Sequence, residues 1–390
     1  MPRSAALSAL VATLLACIWL IADVEIVDAG HLNGLFYTGK NAKLPPAIDS
    51  QTYRVQDQYG YDGEFYYLIA HDPLNHRGFL AYVDTPRYRW RRIGLPALAH
   101  LLAFGKDAWI DQAYVGLQLL LVFLGAWWLA RYAQLLGRSV VWGVAFLVIP
   151  AVAVSLDRMT VDLPLAAVCV GLLYYSRNHS GPRWPAYVLL VAAPLIRETG
   201  IVLIVAWCLF WLIKKDRSAA IDGALCALPA IGWWAFVVFH TAPDVTSFSG
   251  GIPFRGLVTW TVHAISDPMA VYGPRANAVL ELVALAGIWL AFGLTVYTVV
   301  QRASGAYGRG GGWEMPEIIA IAFTAFASII GYQDIWASAY GIGRTLSPLL
   351  IALAAIALRD RRALFGWPLL LVVPRIALQM AAEIKVALRS

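Results

Sequence analysis

The chain has 390 residues, of which 60% are hydrophobic and only 14% charged, with a net charge of +6. A soluble domain averages about 25% charged residues, so the composition excludes an ordinary soluble protein and implies a polytopic membrane protein with room for roughly ten spans. It also excludes nucleic acid as a partner, because the basic residues lie scattered at the ends of apolar runs, where the cytoplasmic bias of Lys and Arg puts them.

In chain order, the first apolar run covers residues 5–24, behind Arg3. A signal peptide shares this cationic-then-apolar grammar. The run is long, however, and no small-x-small cleavage site precedes the next loop, so a retained anchor is expected. Residues 28–92 form a long polar loop with Pro45, Pro46 and several glycines. Long loops between spans are functional or disordered, and the aromatic content here argues against disorder. Residues 93–105 read as a short partial span or a helix lying in the interface. Further spans are expected near 112–131, 139–155, 161–176, 219–239, 278–300, 316–332, 345–358 and 366–382. GRGGGW at 308–313 reads as a flexible connector. Cys17, Cys169, Cys208 and Cys226 all sit in apolar stretches, without disulfide-framework or metal-type spacing. The 16 Trp and 18 Tyr suit interfacial belts, with some left over for a binding cavity.

Residues 185–213 admit two readings: one long helix with Arg197 and Glu198 at mid-membrane, or a hairpin turning at Arg197-Glu198-Thr199-Gly200. Charge decides. With the amino terminus inside and a hairpin here, Arg131, Arg138, Arg177, Arg183, Lys214, Lys215, Arg217, Arg302, Arg309, Arg359, Arg361 and Arg362 all fall inside. A single helix would put the Lys214–Arg217 cluster outside, against the positive-inside rule. The hairpin has a consequence: the first loop, the 157–162 turn, the Arg197-Glu198 tip, the 241–276 loop and the 334–344 turn all reach one face.

The charged islands therefore converge. Tyr61-Asp62-Gly63-Glu64-Phe65-Tyr66-Tyr67 offers a carboxylate beside a glycine, with aromatic surface for a sugar or an isoprenoid. Asp62 there can serve as a general base toward a hydroxyl, or merely cap the next helix. Asp57 and Asp72 add acids nearby. In 84–92, DTPRYRWRR, arginine forks can bind phosphate bidentately. Arg89 and Arg92 lie three apart and would share a helical face, whereas Arg87 and Arg91 read as residues that snorkel to lipid headgroups. Arg197 and Glu198 sit in an apolar run, where ionisable residues are costly and have a function or a partner. Asp162 starts a span just after Asp157 and Arg158, as a site residue or as a plain helix-start acid. Tyr340-Gly341-Ile342-Gly343-Arg344 opens another span, with Arg344 as a phosphate ligand or an interfacial anchor. His71 and His76 do not share a helical face. No His/Glu metal motif appears, so no cofactor is expected, although carboxylate-only Mg²⁺ or Ca²⁺ binding by Asp57, Asp62 or Glu64 stays open.

With its long first loop carrying an acid after the first span, the chain resembles the GT-C superfamily of integral-membrane glycosyltransferases. YDGEFYYLIAHDP and DTPRYRWRRIGLP look like a bacterial group of GT-C-like proteins linked to cell-surface glycopolymer formation. Asp62, Gly63, Phe65, Tyr66, Tyr67, Asp72, Pro73, Asp84, Arg89, Arg92 and Pro96 fill that pattern, and Glu64 stands where Gln is more usual. VDLPLAAVCVGLLYY followed by LIRETG is similar as well. The Arg-Glu-Thr-Gly lies where related mannosyl- and aminoarabinosyl-type transferases often carry a Lys-Gly turn.

The resemblance implies an all-α, GT-C-like bundle of about ten to twelve membrane segments over residues 1–390. Residues 28–92 would be the first extracytoplasmic loop of a multi-pass protein in the bacterial cytoplasmic membrane. It implies inverting transfer of a hexose or pentose from a polyprenyl-phosphate donor to a glycan, lipid or protein acceptor, in contact with membrane lipids. Asp62 would be the base. Arg89, Arg92, Arg197 and Arg344 would hold the donor phosphate, and Tyr61, Glu64, Tyr66, Asp84, Asp162, Glu198 and Tyr340 would contact the sugar or orient those arginines. The rival is a transporter or flippase of a lipid-linked sugar, which also uses broken helices and buried charges. A third reading is a non-catalytic envelope scaffold that docks through the same loop.

Overall fold

The computed structural model describes residues 2–178, 181–243, 252–304 and 312–387; the side chains of residues 2, 3, 334, 383 and 385–387 lie outside the description. Most of the 308–313 connector, Arg309 and residues 244–251 of the 241–276 loop are also outside it. The described residues contain no β-strand.

Among the described residues, five helices are long and apolar enough to cross a membrane: Ser4–Ile26, Asp107–Leu135, Arg217–His240, Arg275–Ala303 and Ala363–Ala382. Two more spans are broken. Val140–Val148 meets Pro150–Arg158 at 57°, and Ala339–Thr345 meets Ser347–Asp360 at 65°. The chain is thus an all-helical, multi-pass membrane protein with five to seven candidate full-length spans. Several other apolar runs among the ten to twelve segments expected form shorter helices. These are Trp184–Ile196, Gly200–Ile213 and Met315–Ser328, besides the almost wholly buried Asp162–Arg177.

The two broken spans coincide with the spans expected near 139–155 and 345–358. Proline explains both, since it lacks the N–H a continuing helix needs and suits a helix start. Pro150 opens the second half of one span, and Pro348 sits in the first turn of Ser347–Asp360. The breaks face each other, with Ala151 N–H donating to Ser347 Oγ at 2.9 Å.

The first span packs through a stripe of small residues. Ala5, Ala9, Ala12 and Ala16 are buried, while Leu7, Leu10, Leu14, Ile18 and Ile21 face outward. Lipid tails are as apolar as leucine, so helices associate here by close backbone approach and not by hydrophobic exclusion.

The 185–213 region is a hairpin, with Trp184–Ile196 and Gly200–Ile213 meeting at Arg197. The Tyr187 and Trp207 rings lie 6.1 Å apart, whereas a straight helix would separate them by about 30 Å. A Cβ on Gly200 would come within 2.2 Å of the Ala193 carbonyl carbon, so only glycine permits this tip.

Between 93 and 105 the structure forms Gly94–Leu102, nine residues long, or about 14 Å, too short to span. Leu95, Pro96 and Ala99 are buried, while Leu98, Leu101 and Leu102 are exposed.

The 28–92 loop is a folded cap. It contains the helices Leu32–Phe36, Pro46–Asp49, Asp62–His71, Phe79–Tyr82 and Pro86–Trp90. Phe36, Ile48, Tyr66 and Trp90 are fully buried within it. Asn33 ties two strands of chain together, donating to the Gln51 carbonyl at 2.8 Å and accepting from Tyr53 N–H at 3.1 Å. Trp90 fastens the cap to itself and to the bundle: its indole donates to the Pro73 carbonyl and its own carbonyl accepts from Trp233.

Candidate functional site

Asp62 opens the Asp62–His71 helix, where the N-terminal dipole stabilises a carboxylate by about 0.3–1 kcal/mol. Gly63 lets that end dock against the turn after the first broken span. A Cβ at Gly63 would lie 2.2 Å from the Arg158 carbonyl oxygen and 2.7 Å from that of Phe36. The turn itself is pinned. Tyr114 Oη donates to the Met159 carbonyl at 3.1 Å, Gln118 Nε2 to the Thr160 carbonyl at 2.7 Å, and Leu163 N–H to Ser155 Oγ at 2.9 Å. The buried Asp162, at the start of the next helix, is thereby fixed within reach of the arginine that also pairs with Asp62.

Four arginines gather here, three of them on these two acids. Arg89 Nη1 lies 2.7 Å from Asp62 Oδ1, and Arg344 Nη2 lies 2.6 Å from Asp62 Oδ2. Arg344 Nη1 also faces Asp162 at 3.6 Å, and Arg197 pairs with Asp162. Arg197 further donates to Thr345 Oγ1 at 3.1 Å, tying the hairpin tip to the second broken span. Arg92 grips Glu198 in a fork, at 2.8 and 2.6 Å, and donates to Tyr66 Oη at 2.6 Å and to Tyr88 Oη. Asp84 accepts both Nε and Nη2 of Arg89, at 3.0 and 3.1 Å. The loop, the hairpin tip, the 157–162 turn and the 334–344 segment thus gather at one end of the bundle.

Aromatic rings line the network. The Arg344 guanidinium sits 5.0 Å from the Tyr61 ring centroid, and Arg89 sits 4.7 Å from that of Phe65. Tyr340 meets Tyr61 edge to face and donates to Asp157 Oδ2 at 3.1 Å. Electrostatics separate the two loop acids. Burial alone would raise the Asp62 pKa, but the Arg344 and Arg89 charges outweigh it and hold the carboxyl well below the usual carboxylate range. Burial raises Glu64, offset only in part by the Gly39 N–H it accepts at 3.1 Å.

Of the twelve residues singled out from the sequence, Tyr61, Asp62, Tyr66, Asp84, Arg89, Arg92, Asp162, Arg197, Glu198, Tyr340 and Arg344 come together here. Glu64 bonds instead to its own loop backbone. Asp57 accepts from Tyr37, and Asp72 accepts the backbone N–H groups of Arg77 and Phe79. Both acids shape the cap and stand outside the network.

Two expectations for the arginines change. Arg92 lies beyond the Pro86–Trp90 helix, so it does not share a helical face with Arg89; each guanidinium reaches a different acid. Arg87 does not snorkel to headgroups. It donates to the Val238 carbonyl and to Thr241 Oγ1, clasping the cap to the Leu228–His240 helix.

Sequence reasoning passed over Tyr88, Thr345 and Asp107. Tyr88 carried a signal, since it stands four residues before Arg92. Asp107 carried none: it accepts His71 Nδ1 at 2.7 Å and Arg77 at 2.8 Å across a long sequence separation. Among the described residues, no group of three or more His, Cys, Asp or Glu side chains gathers as a metal site. Asp57, Asp62 and Glu64 have separate partners and do not form one.

The chain matches no family model, no curated protein and no solved structure.

Proposed function

We propose that this protein is an inverting, membrane-embedded glycosyltransferase of the GT-C type. It moves a sugar from a polyprenyl-phosphate donor to a glycan, lipid or protein acceptor at the extracytoplasmic face of a bacterial cytoplasmic membrane. The observation that carries this reading is the Asp62 carboxylate held between Arg89 and Arg344, with 16% of its side chain open to solvent. A carboxylate ringed by guanidiniums can accept a proton, while its neighbours receive the negative charge of a phosphate leaving group.

In this mechanism the acceptor hydroxyl attacks the anomeric carbon and Asp62 takes its proton. The anomeric C–O bond breaks, and its electron pair departs on the phosphate, giving free polyprenyl phosphate and an inverted glycosidic bond. Arg344 and Arg89 bind the phosphate through bidentate hydrogen bonds. Because the same guanidiniums depress the basicity of Asp62, a donor phosphate that draws them toward itself also restores the base. Arg92 and Glu198 orient each other, and Asp162 positions Arg197 and Arg344. Tyr61, Tyr66 and Tyr340 supply stacking and hydroxyl contacts for the sugar.

One observation favours a second reading. The two broken spans meet beside the charged network, and broken helices lining a charged site mark secondary transporters. Proteoliposomes separate the two. A transferase consumes the lipid-linked sugar and yields a new glycosidic bond, whereas a flippase moves the intact donor across the bilayer. Intact donor translocated without any product would remove the enzymatic reading.

A further inference from the structure

We propose that a cavity at the end of the bundle opposite Asp62 holds one acyl chain of an anionic glycerophospholipid, its phosphate resting against Arg138 and Arg361. This inference rests on the membrane-spanning character of the chain and is independent of glycosyl transfer.

The first broken span creates the space. Its first half, Val140–Val148, is a nine-residue 3₁₀ helix, far longer than the three or four residues usual for that geometry. A 57° bend follows it. A cavity of about 580 Å³ results, and its walls include Trp142, Ile149, Leu173, Ile351, Ala354 and Leu370. Its only charged lining residues are Arg138 and Arg361. Arg138 donates Nε to the Leu358 carbonyl at 2.9 Å, and neither arginine has a carboxylate partner among the described residues. Arg361 is exposed and ends its helix in the left-handed region at φ 58°, a conformation costly for a non-glycine residue. An apolar chamber with two uncompensated guanidiniums at one end is complementary to a phosphate with a hydrocarbon tail.

Depth selects the class of lipid. From Arg361 back to Ile351 the Ser347–Asp360 helix rises about 15 Å. That is half of the roughly 30 Å hydrocarbon core, the depth of one leaflet. A glycerophospholipid acyl chain occupies one leaflet, whereas a long isoprenoid would overrun the cavity.

The test uses the purified full-length protein, stripped of lipid in detergent and titrated with phosphatidylglycerol or with phosphatidylcholine of identical chains, read by native mass spectrometry. One phosphatidylglycerol should stay bound at a concentration about tenfold or more below that needed for phosphatidylcholine. Arg361→Gln, at an exposed position, should bring the two lipids to parity. Ala354→Phe, which fills the chamber, should weaken both. Equal retention of the two lipids by the wild type would overturn the proposal. So would unchanged phosphatidylglycerol binding in both variants, or one-for-one displacement of phosphatidylglycerol by polyprenyl phosphate.

Discussion

The bundle carries an ionic network at each end, and the two are built from the same chemistry to different effect. At the end opposite Asp62, Glu317 accepts from Arg302 and from Arg359, both at 2.6 Å, and Glu314 pairs with Arg177 at 2.5 Å. Two of the acids come from the start of one helix, Met315–Ser328, where Glu314 and Glu317 also form a capping box, and Asp360, 2.7 Å from Arg359, ends another. The Glu317 side chain is 0% exposed. At the Asp62 end the acids come from the cap, the 157–162 turn and the hairpin tip. There Asp62 is 16% exposed and Glu198 26%. Glu317 itself is sealed and binds helix ends together, while its neighbour Glu314 is 35% exposed. The Asp62 carboxylate, by contrast, is partly open to the outside.

The sharpest way to break this contrast is to neutralise one acid at each end. Asp62→Asn should lower sugar transfer by about 10²–10⁴-fold, the range of a lost general base. Some stability should go with it, since Arg344 loses its close partner, but Arg89 keeps Asp84 and the loss of turnover should far exceed what unfolding explains. Glu317→Gln should do the reverse. It takes a fully buried carboxylate from Arg302 and Arg359, although Arg359 keeps Asp360, and should cost about 3 kcal/mol, the low end for a broken buried pair, with turnover per folded molecule unchanged. Thermal unfolding in detergent and a transfer assay on the same preparations check both. A stability loss at Asp62 as large as that at Glu317, with no selective loss of turnover, would erase the distinction.

Gly63→Ala sharpens the comparison from the side of geometry. The new methyl would press on the Arg158 and Phe36 carbonyls, and overpacking of this kind costs about 1–3 kcal/mol. Because it also displaces Asp62 from its arginines, turnover should fall further than stability alone explains. The same substitution at Gly116, where a Cβ meets open space, is the control and should leave both unchanged.

The smallest effect concerns pH. Burial lowers the pKa of His71, a pull that the hydrogen bond to Asp107 only partly opposes. The folded protein therefore prefers the neutral ring, while the unfolded chain takes a proton below about pH 6.5. The contribution of His71 is thus complete above that pH and is lost as pH falls through the window beneath it. The apparent unfolding temperature should drop more between pH 7.5 and 5.5 in the wild type than in His71→Gln. Parallel slopes would show that His71 is not the titrating group. Asp62 behaves oppositely to a buried neutral acid. Its depressed pKa keeps it ionised throughout that window, so its stabilising contribution fades only in strong acid.

Much of this arrangement was legible in the residues. The apolar runs marked most helices, and the distribution of Arg and Lys chose the hairpin at 185–213. Once the hairpin was chosen, the acids and arginines had to reach one end. The breaks at Ile149 and Leu346 were signalled by Pro150 and Pro348 inside apolar runs, but apolar length outweighed them. The interior of the cap was not legible, because its ties run from side chains to distant backbone groups. Asn33 to Gln51 and Tyr53, and Trp90 to Pro73, leave no periodicity in the sequence. His71 with Asp107 is a pair of the same kind.

The most direct measurement of the central claim is donor consumption by the purified protein in vesicles. A set of polyprenyl-phosphate-linked sugars would be offered with an acceptor extract, and free polyprenyl phosphate and the new glycosidic product would be followed by mass spectrometry. The account predicts that the wild type releases polyprenyl phosphate in step with product, and that Asp62→Asn still binds donor but releases only a background amount. Turnover by Asp62→Asn within about threefold of the wild type would contradict it.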